Sequence, residues 1–264
     1  MEKQFPNDLR HNHMIEGYFK TNKNSIDIKN ILWVSFGSIL YLSLAALLIG
    51  FKQDQVFLIV LFNALYYLST PTRKLILAFS IFIAFWVIYD SMKIFPNYKF
   101  NSVNLENLYS LEKKVFGINV NGKEQTLNEY FNAHKYPVLD FLSGLFYLCW
   151  VPVPLIFAFY LFRKNPTQFL QFSFSFLLVN IIGFILYYVF PAAPPWYVEK
   201  YGFQFIPNIA GNAAGLLQFD KMTGLNIFTN MYQKNSNVFA AFPSLHASYP
   251  VIVLFFGIKI KWDG

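Results

Sequence analysis

Charge is scarce in this sequence. Only 13% of its 264 residues are Asp, Glu, Lys or Arg, about half the share found in an ordinary soluble domain. A soluble chain of that length needs more charge to cover its surface, so a water-soluble globule is excluded. Cysteine is scarcer still. The single Cys149 has no internal disulfide partner, which excludes a disulfide-stapled scaffold; it reads as a small core residue. Four histidines leave little material for a structural zinc site, and neither a metal nor another cofactor is expected. Sequence repeats and low-complexity tracts are also missing. Residues 1–30 are polar and mixed in charge, with no short apolar core leading to a small-residue cleavage site, so they do not read as a cleavable signal peptide.

Apolar surface is what the chain has in excess. Hydrophobic residues make up 55% and aromatics 20%, including 32 Phe and 17 Tyr, and the mean hydropathy is +0.37. Disordered chains are poor in aromatics and rich in charge, so disorder is excluded. An integral membrane protein remains. A net charge of +7 would suit nucleic acid in a soluble domain. Here the positives sit beside apolar runs, where they flank membrane spans, and no nucleic-acid partner is expected.

A helix crosses the hydrocarbon in about 20 apolar residues. Ile31–Gly50 fits one crossing, and Val56–Thr70 is a shorter run that stops at Pro71. Leu75–Tyr89 extends to about Phe95, and Phe141–Phe162 carries Pro152 and Pro154, a pair expected to kink the span. Pro166–Phe190 and the short His246–Ile258 complete a set of six. The expected fold is all-α, a polytopic transmembrane helix bundle of about six spans with two long outer loops. Lys and Arg orient it. Residues 1–30 form a cytoplasmic tail with Lys3, Arg10, Lys20, Lys23 and Lys29, and the other cytoplasmic pieces are Arg73–Lys74, Arg163–Lys164 and Lys259–Lys261. Loops 96–137 and 191–245 fall outside. In the first of them, Leu105–Phe116 reads as a helix whose leucines share a face while Glu112, Lys113 and Lys114 face away. It suits either the membrane surface or a solvated loop.

Chemistry points to Phe239–Pro250, FAAFPSLHASYP. Ser244 is placed as an N-cap after Pro243, at the entry to the last apolar helix. A helix N-terminus offers free N–H groups and the positive end of a dipole to an anion. His246 sits in the first turn, where it can donate a proton to a bound phosphate or attack it. The plainer reading is a cap and an interfacial histidine with no chemistry.

FPSLHAS resembles the second signature of the type 2 phosphatidic acid phosphatase superfamily. The resemblance is closer to its inositol phosphorylceramide synthase-like branch, where PSLH replaces the commoner PSGH. PAAPPWY, Pro191–Tyr197, is similar to a proline-proline-tryptophan segment of that branch, about fifty residues before PSLH. Weaker likenesses lie at Trp86–Asp90, from Glu112 to Gly117, and at Thr126–Phe131, so the resemblance runs from about Trp86 to the C-terminus.

This resemblance implies an integral membrane lipid phosphotransferase with a metal-free, histidine-based mechanism at the outer face, residues 31–264 forming its membrane domain. In such enzymes a histidine of a third signature, oriented by an aspartate, attacks phosphorus. The second-signature histidine, here His246, protonates the leaving oxygen, while the serine, here Ser244, and nearby N–H groups hold the phosphate. Lys200 is a further candidate phosphate ligand, or else a solvated loop lysine. Pro195, Trp196 and Tyr197 are substrate-site candidates. A membrane lipid is the implied substrate, with inositol or another polyol as the implied acceptor; transfer to water would instead make a phosphatase.

The sequence departs from the superfamily pattern in two places. The first signature, with its Arg-Pro, is missing, and no histidine follows His246. The chain is therefore expected to lack its C-terminal part, or to be an incomplete catalyst. His134, with Asp140 nearby, is a substitute nucleophile or an ordinary interfacial residue; His11 and His13 fall on the cytoplasmic side. Asp90 is an acid within a span and thus a functional candidate, or it reaches the headgroups beside Lys93. Trp86, Trp150 and Trp196 read as interfacial anchors. A non-catalytic membrane protein, such as a carrier, is the competing class. It would need broken helices in two related halves, and only the Pro152–Pro154 break and Asn180 offer it support.

Overall fold

A computed structural model describes residues 27–263 apart from Ile49, Lys93 and 234–236, with the side chains of 261–263 also left out. The N-terminal tail with His11 and His13, expected on the cytoplasmic side, lies almost wholly outside the described residues, as does Lys93, the expected neighbour of Asp90. The protein is mostly helical, with 73% of residues in helix.

Two helices, α1 (Ile28–Leu48) and α9 (Pro166–Val189), are long and apolar enough to cross a membrane unaided. Two further pairs pass only as bent spans: α3 (Thr70–Ala78) with α4 (Ser80–Ser91), bent by 47°, and α7 (Pro137–Leu148) with α8 (Pro152–Lys164), bent by 43°. The expected six therefore become two to four on length and composition. The shortfall lies in α2 (Gln53–Leu68), of 16 residues, and in α13 (Leu245–Asp263), whose apolar part is Leu245–Ile260. The second bend falls where the proline pair places it. Pro152 opens α8, in the first turn, where a missing N–H costs nothing. Pro71 acts similarly. Ser69 and Thr72 form a reciprocal capping box at the start of α3, so the second apolar run ends at a cap.

The chain divides into two compact units. The first holds the described residues up to Ile94 together with Leu161–Leu177. Its core is an aromatic series: Phe79 packs on Phe169 with centroids 5.4 Å apart, and Phe82 and Phe85 pack on Phe176 at 5.2 and 5.4 Å. Asn63 on α2 donates to Ser38 on α1 at 2.9 Å, the kind of interhelical bond that replaces water inside a bilayer. Asp90 is buried and accepts from Gln55 at 3.0 Å, with Lys52 Nζ at 3.7 Å. It is a partnered acid at the end of the α3–α4 candidate span. Outward, α1 presents Leu47 at 82% exposure and Trp33 at 71%, a face suited to lipid.

The second unit holds Phe95–Tyr160 and the described part of Leu178–Gly264. Here the all-α expectation needs one correction. Strands β1 (Ile118–Val120) and β2 (Lys123–Gln125) pair antiparallel across Asn121–Gly122, both at positive φ. Asn-Gly is the favoured two-residue hairpin turn because both positions tolerate that backbone. Helix α5 (Glu106–Phe116) precedes the hairpin, and α6 (Leu127–Ala133) follows behind a Thr126–Glu129 capping box. Tyr109 on α5 donates to Glu129 at 2.8 Å. Asn128 and Asn132 on α6 donate to Glu199 on α10 (Pro195–Tyr201) at 2.5 and 2.6 Å. Later in the unit, α11 (Leu217–Thr223) packs on α7 at Gly144, where any Cβ would overlap the Phe219 ring. Asp220 then accepts the backbone N–H groups of Phe228 and Thr229 at 3.1 and 2.8 Å, starting α12 (Ile227–Gln233).

Candidate active site

The two motif segments run side by side. Ala192 N–H donates to the Phe239 carbonyl at 2.9 Å, while Ala193 N–H donates to Asn104 at 3.1 Å. Fully buried Asn97 donates its amide to the carbonyls of both Tyr187 and Phe239, each at 2.9 Å. Pro191–Tyr197 is therefore held between the loop of residues 96–137 and the strand-like run that leads into PSLH. The segment donates through its two alanines, and its Pro191 carbonyl accepts from the backbone and side-chain amides of Asn104 at 2.8 and 3.2 Å, so the prolines' missing N–H groups do not leave it unpaired.

Ser244 stands at the N-cap of α13, with its Oγ 3.4 Å from the Ala247 N–H it caps. Serine at that position caps a helix of 19 residues, whose first-turn N–H groups have no partner within the helix. Leu245, the first helical residue, is buried against Gly183 of α9. His246 is partly buried. Its ring stacks on Tyr147 with centroids 4.8 Å apart and meets Trp150 edge-on at 4.5 Å. Trp150 stacks in turn on Tyr249, whose hydroxyl donates to buried Asn180 at 2.6 Å. The Tyr147 hydroxyl lies 3.1 Å from His246 Nε2 and 2.5 Å from the Tyr232 hydroxyl. A hydroxyl both donates and accepts, so this line of three groups can reverse when the imidazole gains or loses a proton. Phe228 packs edge-on to Tyr147 at 5.6 Å, and so α12 closes the far side.

The other candidates fall elsewhere. Tyr197 is fully buried, and its hydroxyl donates to the Gln204 carbonyl at 2.6 Å and accepts from Ile206 N–H at 2.9 Å; it is a pillar of the second unit's core. Pro195 and Glu199 face outward beside it, and Trp196 packs on Tyr197. Lys200 is exposed, with its ammonium 5.0 Å over the Tyr201 ring. His134 is exposed at the end of α6 and stacked on Tyr130, with Nδ1 3.0 Å from the Tyr130 carbonyl. Its ring partner differs from those of His246. Tyr147 and Trp150 are not legible as site residues, because aromatics in an apolar helix read as core or anchor, and Tyr232 is one tyrosine of a long loop with no motif around it.

Residues 107–264 match the family model of the PAP2 superfamily. The chain is similar to the phosphoinositol dihydroceramide synthase of Bacteroides thetaiotaomicron, at 46% identity over 84% of this chain and 74% of that protein. It is also similar to the catalytic subunit of inositol phosphorylceramide synthase of Saccharomyces cerevisiae, at 33% identity over 71% of this chain and 47% of that one. A third relative, the inositol phosphorylceramide synthase of Candida albicans, is 29% identical over 59% of this chain and 32% of its own length. The chain thus spans under half the length of these fungal relatives. No solved structure matches it.

Proposed function

Because this chain belongs to the PAP2 superfamily, we propose that it is an integral membrane lipid phosphotransferase that moves an inositol phosphate headgroup to the hydroxyl of a ceramide-class lipid. The observation that carries the reading is His246, set in the first turn of α13 beside the Ser244 cap and backed by the Tyr147–Tyr232 hydroxyl pair. The names of the relatives supply the substrate class. Ser244 and the free N–H groups of the helix terminus hold the phosphate oxygens. A histidine nucleophile, as the family resemblance implies, takes the inositol phosphate as the donor's phosphorus–oxygen bond breaks, and the His246 imidazolium gives its proton to the leaving oxygen. The acceptor hydroxyl then displaces that histidine from phosphorus while the neutral His246 imidazole takes the hydroxyl's proton, so the cycle closes. No metal is needed in this scheme, since the helix terminus meets the phosphate charge.

The same reading gives six spans, with α2 and α13 as short crossings, the N-terminus cytoplasmic and both long loops outside. Paired positives at Arg73–Lys74 and Arg163–Lys164 support that orientation. A transfer assay tests the activity. Membranes containing the full chain, given a headgroup-labelled inositol phospholipid and a ceramide, should yield labelled phosphoinositol ceramide, and His246→Ala should abolish it. Release of water-soluble inositol phosphate with no labelled sphingolipid would make the protein a phosphodiester hydrolase and overturn the reading.

A further inference from the structure

A cavity of about 480 Å³ opens in the second unit, away from the His246 ring contacts. One wall is the face of α5 formed by Leu108, Leu111, Glu112 and Val115; the other comprises Pro195 of the proline-rich segment and Phe242. Its size is that of a small-molecule site. Phe242 lies two residues before Ser244, and a two-residue step spans at most about 7 Å. A ligand here therefore ends within reach of the proposed phosphate site.

The lining is hydrocarbon with one charged exception. Glu112 was expected to face away from the leucines of its helix, yet it lines the cavity beside them. Its own burial and, after it, the charges of Glu129 and Glu199 push its carboxyl above the ordinary range. Those two neighbours are engaged: Glu129 by Tyr109 and the Thr126 cap, Glu199 by Asn128 and Asn132. Glu112 forms no hydrogen bond or ion pair among the described residues. An apolar cavity with a free carboxyl acceptor, with two further acids acting on that carboxyl and the Lys113 ammonium 5.6 Å over the lining Tyr109 ring as the cation placed beside it, disfavours an anionic phospholipid. It suits a lipid that is neutral and carries a hydrogen-bond donor at its polar end.

We propose that this cavity holds a hydrocarbon chain of the neutral, hydroxyl- or amide-bearing acceptor lipid, with Glu112 accepting a hydrogen bond from its polar end. The assignment rests on the transferase reading for the word acceptor, but the binding itself does not. Two lipids thus approach the site by different routes: the anionic donor at the α13 terminus, the neutral acceptor along α5.

Photolabelling of the full chain in membranes separates the two ideas. The probes are a diazirine-bearing long-chain ceramide and a diazirine-bearing phosphatidylinositol. The ceramide probe should label residues 105–116 or 241–242, and Leu111→Trp, at a position 56% exposed, should cut that labelling at least fivefold by filling the cavity. Glu112→Gln keeps an acceptor and removes the charge. It should leave ceramide labelling within twofold and raise phosphatidylinositol labelling of the same residues several-fold, a gain that unfolding cannot mimic. Equal labelling of these residues by both probes in the unsubstituted chain, or ceramide labelling indifferent to Leu111→Trp, would overturn the proposal even if transfer is observed. Ceramide labelling as described, without transfer, would leave the cavity standing and remove the transferase reading.

Discussion

Ala192 and Phe239, 47 positions apart in sequence, are joined by a 2.9 Å backbone hydrogen bond, and through it the proline-rich segment and the PSLH segment become one structure. Asn97 completes the joint by donating to the carbonyls of Tyr187 and Phe239. The Tyr187 carbonyl has Pro191 at the position where a helix would supply its N–H, so the buried amide satisfies it, and the Phe239 carbonyl takes Asn97 as a second donor beside Ala192.

Asn97→Leu should therefore be costly. It leaves the Tyr187 carbonyl, whose helical partner position is Pro191, without a donor, at about 1–3 kcal/mol for a buried unsatisfied group, while the Phe239 carbonyl keeps the Ala192 N–H. The thermal midpoint in detergent should fall by several degrees, and transfer activity should fall with it. Asn97→Asp should do comparable harm, since an ionised carboxylate only accepts. An unchanged midpoint in Asn97→Leu would mean that the backbone bonds alone hold the segments together.

Tyr147 contacts His246 through its ring and its hydroxyl. Tyr147→Phe keeps the stack and deletes the hydrogen bond, a net loss of about 0.5–1.5 kcal/mol. If the hydroxyl orients the imidazole for proton transfer, kcat should drop roughly three- to tenfold with KM little changed. Tyr232→Phe, one bond further away, should cost less. A rise in KM at constant kcat in Tyr147→Phe would assign the tyrosine to substrate binding instead.

The Ser244 cap, the first-turn His246 and the break before Pro152 could all be read from sequence because each depends on local backbone chemistry. Local signals also existed where the reading failed. Asn121–Gly122 announces a hairpin turn, yet the membrane composition drew the whole chain into an all-helical expectation. Glu112 was placed facing away by helical spacing, which fixes a face but not what covers it; α10 and the Phe242 run cover it. Tyr147 and Tyr232 had no signal at all. They are two of 17 tyrosines, and only the tertiary approach of α7 and α12 to α13 singles them out.

Asp220 gives a dependence on pH. Burial alone would raise its carboxyl, but hydrogen bonds from Thr229, Phe228 and Ile227 outweigh burial and hold it below the ordinary range. A carboxyl lowered by folding stabilises the folded state above its unfolded value, about 3.9, and that contribution is lost as pH falls through the folded value. Amide protection of Phe228 and Thr229, corrected for intrinsic exchange, should be flat from neutral pH to about 5 and decline below about 4. Asp220→Asn should lower protection at neutral pH by about 1–2 kcal/mol and flatten the acid decline. Because Phe228 packs on Tyr147, transfer activity should drop as well.

Orientation can be read by thiol labelling. In a Cys149→Ser background, Lys123→Cys and Lys221→Cys occupy exposed positions in the two long loops. Both should react with a membrane-impermeant reagent added to intact cells. Reaction of one from outside and the other only after permeabilisation would exclude the proposed arrangement of spans.

Gly183 offers a test of how closely the helix start must be placed. A Cβ there would lie 2.6 Å from Cδ2 and 3.0 Å from Cγ of Leu245, the residue immediately before His246. Leu245 is buried, so it cannot swing into solvent to make room. Gly183→Ala should therefore push the first turn of α13 outward, with an overpacking cost of about 1–3 kcal/mol and a loss of activity of about tenfold. Shortening the opposing side chain should relieve the clash. Leu245→Val in the Gly183→Ala background should recover most of the lost activity, although Leu245→Val alone leaves a small void and lowers stability. Two substitutions that each harm and together harm less than their sum reveal direct contact, with coupling of about 0.5–3 kcal/mol for touching residues. Additive losses would mean that α9 and the start of α13 do not bear on each other in the working enzyme, and that the position of His246 is fixed by the Tyr147 and Trp150 rings alone.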